Sequence, residues 1–134
     1  MKVVDANVIA YLLIKGKYTD KAKNLLRNDP EWVAPKLWRS EFRNVLTIYI
    51  RNDYFDLSQA LFLVKKAEEL MRDGEYLVPS KDVLELAAES GCSAYDCEYV
   101  ALARDLGIML ITTDKQLIQA FPNYVTNLSD LVLS

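Results

Sequence analysis

Short apolar runs and segments of helical spacing take turns along this chain. Lys2–Asp5 reads as a short strand ending on an acid, and Ala6–Lys15 as a helix whose apolar positions are Val8, Ile9, Leu12 and Leu13. Thr19 is placed to cap a helix over Asp20–Arg27, and Trp32–Ala34 reads as a strand closed by Pro35. A long helix follows over Lys36–Arg51, broken at Asn52-Asp53. Another starts at Asp56 or Ser58 and runs to Asp73, with Gly74 as its C-cap. Tyr76–Val78 reads as a strand, and Ser80 caps a helix over Lys81–Ser90 that Gly91 ends. Ser93 caps Ala94–Leu106, which Gly107 ends. Ile108–Thr112 is a continuous apolar run of the kind that forms a buried strand. A short helix over Asp114–Ala120 and a last strand over Tyr124–Thr126 complete the series.

Strand and helix in turn predict an α/β fold: a mainly parallel sheet with helices on both faces. The chain carries no repeat, linker or low-complexity stretch, so residues 1–134 read as a single domain. In such sheets ligands bind beyond the carboxyl ends of the strands. Asp5 ends the first strand and Asp114 follows Ile108–Thr112, so topology alone puts both on that edge.

Composition narrows the chemistry. With 134 residues, about half of them apolar, the chain can bury a real core. No run reaches the roughly 18 uncharged apolar residues of a membrane span. The opening M-K-V-V-D lacks the long apolar stretch of a signal peptide. Cys92 and Cys97 are too few for a disulfide scaffold, and their spacing places them on different faces of one helix. They read as two buried thiols of a cytoplasmic protein. There is no histidine, which removes Ser-His-Asp and Cys-His triads and most zinc sites. Oxygen ligands remain, and these suit Mg²⁺ or Mn²⁺. A net charge of −3 argues against strong nonspecific nucleic-acid binding but leaves room for a local basic rim.

Four acids stand out because each lies at the edge of an apolar segment or inside one: Asp5, Glu41, Asp96 and Asp114. Carboxylates avoid such surroundings unless they are paired or bind a cation. Glu41 shares a helical row with Leu37, Val45 and Ile48, where a surface glutamate does not belong. Arg39 and Arg43 are not at the three- or four-residue spacing that would pair them with it. Asp96 lies on one face with Tyr99, Val100 and Ala103. Ser93 and Asp96 also have the spacing of a capping box, which would orient the carboxylate. Glu98 points about 200° around that helix and is left out of the site. Asp5 and Asp114 each precede a helix, so capping alone accounts for either taken singly. Thr112 and Asn7, two positions from Asp114 and Asp5, can hold a carboxylate or a metal-bound water.

Taken together, the segments V-V-D-A-N, S-E-F-R-N-V-L, S-A-Y-D-C-E-Y-V-A-L-A and L-I-T-T-D-K-Q-L resemble the four blocks of PIN-domain ribonucleases. The closest subgroup is the VapC-like toxins of toxin–antitoxin pairs. The likeness covers the whole chain, and the four blocks in order carry far more weight than any one of them. It implies a three-layer α/β/α sandwich and RNA cleavage dependent on Mg²⁺ or Mn²⁺. It also implies a homodimer and a bound antitoxin protein. Asp5, Glu41, Asp96 and Asp114 match the family's metal acids, and Thr112 and Asn7 match its supporting polar residues. Lys36, Arg39 and Arg43 surround Glu41 and are candidates for contacts with the RNA backbone.

From Phe42 to Leu63 the chain carries more apolar bulk than one helix face can bury, including Ile48, Tyr54, Phe55, Leu61 and Phe62. That excess reads as a partner surface or as the packing of two adjacent helices. Two other acid-cluster α/β families fit less well. A receiver domain resembling this chain would need an adjacent acid pair after the first strand, where Ala6 follows Asp5. An aspartyl phosphatase would show D-x-D where this chain has D-A-N. A catalytically inactive PIN-like module that binds RNA or serves as a scaffold is the alternative reading.

Overall fold

The computed structural model describes residues 1–131, so the last three residues of the 1–134 reading lie outside the described residues. Among the described residues, five strands form one sheet: β1 (Lys2–Val4), β2 (Trp32–Pro35), β3 (Glu75–Tyr76), β4 (Leu110–Thr112) and β5 (Val125–Asn127). Their spatial order is β3-β2-β1-β4-β5, and every neighbouring pair runs parallel. Val3 sits opposite both Val33 and Leu110, so the central strand is buried between two apolar neighbours.

Among the described residues, seven α-helices connect the strands. They are α1 (Ala6–Leu13), α2 (Thr19–Asn28), α3 (Trp38–Arg51), α4 (Leu57–Leu70), α5 (Ser80–Ser90), α6 (Ala94–Leu106) and α7 (Lys115–Ala120). From β1 to β3 the chain steps outward in one direction, carrying α1 to α4. From β3 it returns across β2 and β1 to β4 by way of α5 and α6. Parallel crossovers are right-handed, so this reversal puts α5 and α6 on the opposite face. The contacts agree: α1 packs on α2, α3 and α4, while α6 lies across β1, β2 and β4 with α5 behind it. The result is a three-layer α/β/α sandwich.

The reversal creates a switch point between β1 and β4, where chains leave neighbouring strands in opposite directions. Ligands of open parallel sheets bind in the crevice at such a point. Asp5 follows β1 and Asp114 follows β4, so both acids stand at its mouth.

Several boundaries differ from the sequence reading for local reasons. Thr19 is buried inside α2 rather than capping it: its hydroxyl donates to the carbonyls of Tyr11 and Ile14 and accepts the N–H of Gly16. Tyr18 is the cap, without a side-chain bond. Ser80 is the first residue of α5, and Pro79 precedes it as cap. Asp56 rather than Ser58 caps α4, in a reciprocal pair with Gln59. That helix ends at Leu70, and Gly74 is not its C-cap. Gly74 lies against the Trp32 carbonyl, where a Cβ would collide, and its own carbonyl accepts the Ala34 N–H at 2.8 Å. Glycine is required there by close approach to β2. Cys92 lies in the loop before α6 rather than on the helix with Cys97, and both are buried free thiols. Among the described residues, no helix is long and apolar enough to cross a membrane.

Candidate active site

Asp5 is the N-cap of α1. One carboxylate oxygen accepts the Val8 N–H at 3.0 Å, and the other accepts the hydroxyl of Thr112 at 2.5 Å. The Thr112 oxygen in turn accepts the backbone N–H of Asp114 at 3.1 Å. Asp114 caps α7 through the N–H groups of Gln116 and Leu117. One fully buried hydroxyl thus joins the ends of the two strands at the switch point. The caps orient both carboxylates and leave each with unused acceptor capacity.

Glu41 reaches the same place from α3, in the first turn of that helix. Its Oε1 accepts the hydroxyl of Tyr99, on α6, at 2.5 Å. Ser93 caps α6 by accepting the Asp96 N–H at 3.0 Å, which fixes Asp96 in the first helical turn. The four acids therefore come from four separate stretches of chain. They line one open cleft of about 480 Å³ together with Asn7, Ser40, Asn44, Tyr95 and Tyr99.

The surroundings resist so much negative charge. Burial, helped by the charges of Glu41 and Asp114, pushes the carboxyl of Asp5 up to about 6 against the pull of its Thr112 and Val8 bonds. Glu41 is raised by burial and by the charges of Asp96 and Glu98, while the Tyr99 bond lowers it. Asp96 is raised by burial and by Asp114 and lowered by the Ser93 hydroxyl. Desolvated carboxylates facing one another in this way favour protons or a cation. Among the described residues, no three Asp, Glu, His or Cys side chains converge tightly enough to ligate one ion directly. The donors are all oxygen and are spread around an open cleft. Such a set suits a small hard cation that keeps several of its own waters.

Lys36, Arg39 and Arg43 do not line this cleft. Arg39 is held elsewhere: its guanidinium pairs with Glu75 at 2.6 and 2.8 Å, binds Glu68 and lies over the Trp38 ring. Arg43 is exposed and donates to the Arg39 carbonyl of its own helix. Lys36 is exposed in the turn before α3. Sequence reasoning placed Tyr99 only as a member of an apolar row. Its hydroxyl is the direct partner of Glu41, and the signal was a tyrosine one helical turn from Asp96 on the face that carries it. Glu98, set aside on angular grounds, does not line the cleft, yet its charge is felt at Glu41.

The PIN domain profile matches residues 2–121. Ribonuclease VapC3 of Pyrobaculum aerophilum is 32% identical over 133 residues, covering 92% of this chain and 97% of that protein. The crystal structure of PAE2754 from Pyrobaculum aerophilum superposes with a TM-score of 0.76 at 22% identity, covering 96% of this chain and 90% of the other. A toxin-antitoxin complex from Klebsiella pneumoniae superposes with a TM-score of 0.65 at 14% identity, covering 98% and 100%. A domain match across most of the chain, and a relative of 32% identity along nearly its whole length, place this chain in the PIN-domain family.

Proposed function

We propose that this chain is a metal-dependent endoribonuclease and the toxin of a toxin–antitoxin pair. The observation that carries the reading is the convergence of Asp5, Glu41, Asp96 and Asp114 in one cleft at the switch point. It is supported by a relative named as a ribonuclease over nearly the full length.

The four carboxylates would hold Mg²⁺ or Mn²⁺ mostly through water. Such an ion supplies an acidified water and neutralises charge on the phosphoryl oxygens. The chain's own residues do the rest. Thr112 keeps Asp5 and Asp114 in register at the strand ends, and Tyr99 holds Glu41 toward the cleft. With no histidine in the chain, proton transfer falls to a carboxylate. Asn7, exposed on α1 at the cleft wall, is placed to orient a water or a phosphate oxygen. Lys36 and Arg43 are available to the RNA backbone outside the cleft, while Arg39 serves mainly to tie α3 to Glu68 and Glu75.

An exposed apolar surface supports a protein partner. Ile48, Tyr54, Leu57, Leu61 and Phe62 are all more than half exposed along α3, α4 and their connection. We assign this face to a homodimer with a small antitoxin bound nearby. A solved structure of similar fold is a toxin-antitoxin complex. Two buried free thiols fit a cytoplasmic protein.

The test is incubation of the purified chain with total RNA and Mg²⁺ or Mn²⁺, followed by mapping of the new ends. Discrete cleavage stopped by EDTA is the predicted result. RNA that is bound but left intact under every metal condition would favour an inactive RNA-binding module instead.

A further inference from the structure

A second cleft, of about 370 Å³, opens beside the acidic one. The two share Asn7, Val45 and Ile48 as a common wall. The acidic cleft is lined by carboxylates, whereas the second presents Tyr11, Tyr18 and Tyr49. All three rings are only partly buried. Tyr11 and Tyr18 lie 4.8 Å apart and are tilted by 40°, so they form two sides of a corner rather than a closed stack. The Tyr11 hydroxyl bonds to the Thr113 hydroxyl at 2.8 Å, and Thr113 stands between Thr112 and Asp114. The aromatic corner is therefore tied to the loop that carries Asp114. Lys17 is exposed at its rim, with the ammonium 5.3 Å from the Tyr18 ring centroid.

We propose that this aromatic cleft is a base subsite, which takes one unpaired nucleobase of the RNA strand next to the phosphate held at the acids. The proposal deepens the ribonuclease reading and rests on it for the identity of the strand. Tyrosine rings stack on any base, and a stacked base must first be free of its complement. The shared wall makes the two clefts continuous, as consecutive units of one strand require. An exposed cation–π contact is weak, so the incoming base takes the Tyr18 ring face and leaves the Lys17 ammonium for a neighbouring phosphate. The subsite makes the chain a reader of single-stranded RNA.

Binding decides the question apart from cleavage. The probe is a short, 5′-labelled single-stranded oligoribonucleotide, followed by fluorescence anisotropy with Ca²⁺ in the buffer. It is compared with the same strand annealed to its complement and with a strand of the same length lacking bases. Wild type is expected to prefer the intact single strand to both. Tyr18→Ala should weaken binding of that strand about 5- to 150-fold, the usual worth of one base–aromatic stack. Tyr18→Phe should bind as wild type does, and Lys17→Ala should weaken binding with a shallower salt dependence. Equal binding of the intact and baseless strands by wild type overturns the subsite. So does a folded Tyr18→Ala that binds like wild type. Failure of the nuclease reading looks different: the Tyr18 signature persists in anisotropy while no RNA is cleaved.

Discussion

The hydroxyl of Thr112 donates to Asp5 at 2.5 Å and accepts the backbone N–H of Asp114 at 3.1 Å, so a single buried atom sets two acids at the sheet edge. Replacing it should therefore disturb both. Thr112→Val keeps the volume but leaves a buried carboxylate without its donor and an N–H without its acceptor. A loss of about 1–3 kcal/mol of stability is expected. The same bond lowers the Asp5 carboxyl against its burial, so in the metal-free variant Asp5 should titrate above its already raised value of about 6. Thr112→Ser should restore most of both. Thermal unfolding and an NMR titration of the Asp5 carboxyl check this; unchanged values in Thr112→Val would remove the hydroxyl from the account.

Asp96→Asn is expected to lower RNA cleavage by more than about 100-fold, since loss of residues merely supporting a metal ligand already costs 10–100-fold. The metal-free variant should be as stable as wild type or more so, because Asp96 is raised by burial and by Asp114. The backbone N–H that Ser93 accepts is retained, so α6 keeps its cap. Wild-type cleavage rates in this variant would sink the assignment of Asp96.

The sequence reveals some of these residues and hides the partners of others. Glu41 and Asp96 stand out in the sequence because each interrupts an apolar helical row, and Asp5 and Asp114 only because each stands at the end of an apolar strand segment. The strand order was readable only as parallel, since local spacing says nothing about which strands become neighbours. Helix starts were misplaced where a hydroxyl found a nonlocal partner, as Thr19 does with the carbonyls of Tyr11 and Ile14. Arg39 looked like part of a basic rim because its partners, Glu68 and Glu75, lie far along the chain. Tyr99 was hidden for the same reason: its bond to Glu41 crosses from α6 to α3.

The Arg39–Glu75 pair gives a pH test. Glu75 is held below the usual carboxylate range by its Arg39 bonds, with Trp38 adding a further donor at 2.9 Å. A carboxyl depressed in the folded state stabilises the protein above its unfolded value, and that contribution is lost as pH falls through the folded value. Glu75→Gln should then cost about 1 kcal/mol near neutral pH, Arg39 being partly exposed. The gap from wild type should close in acid. Thermal midpoints of both proteins across pH measure it; a gap that stays constant would show that the charge is not the cause.

The exposed apolar face predicts self-association. Tyr54 is 73% exposed, whereas Phe55 stacks on Tyr49 at 5.5 Å and belongs partly to the core. Tyr54→Ser combined with Phe62→Asp should weaken a dimer while leaving the thermal midpoint of the monomer unchanged, as interface anchors do when truncated. Sedimentation of wild type and variant at matched concentration is the check, and a wild type that stays monomeric at high concentration would rule the interface out.

The central claim is that four carboxylates at the β1/β4 switch point form one cation-dependent centre for cutting RNA. Its most direct test is a Mn²⁺ titration of wild type and Asp5→Asn, read together as cleavage of single-stranded RNA and as the thermal midpoint. Wild type should gain both activity and stability with rising metal, by mass action on the folded state, and lose both to EDTA. Asp5→Asn, which keeps an oxygen to cap α1, should fold, show little metal-dependent rise and cut nothing. Cleavage by wild type that survives chelation, or an Asp5→Asn that cuts and responds to metal as wild type does, would contradict the account.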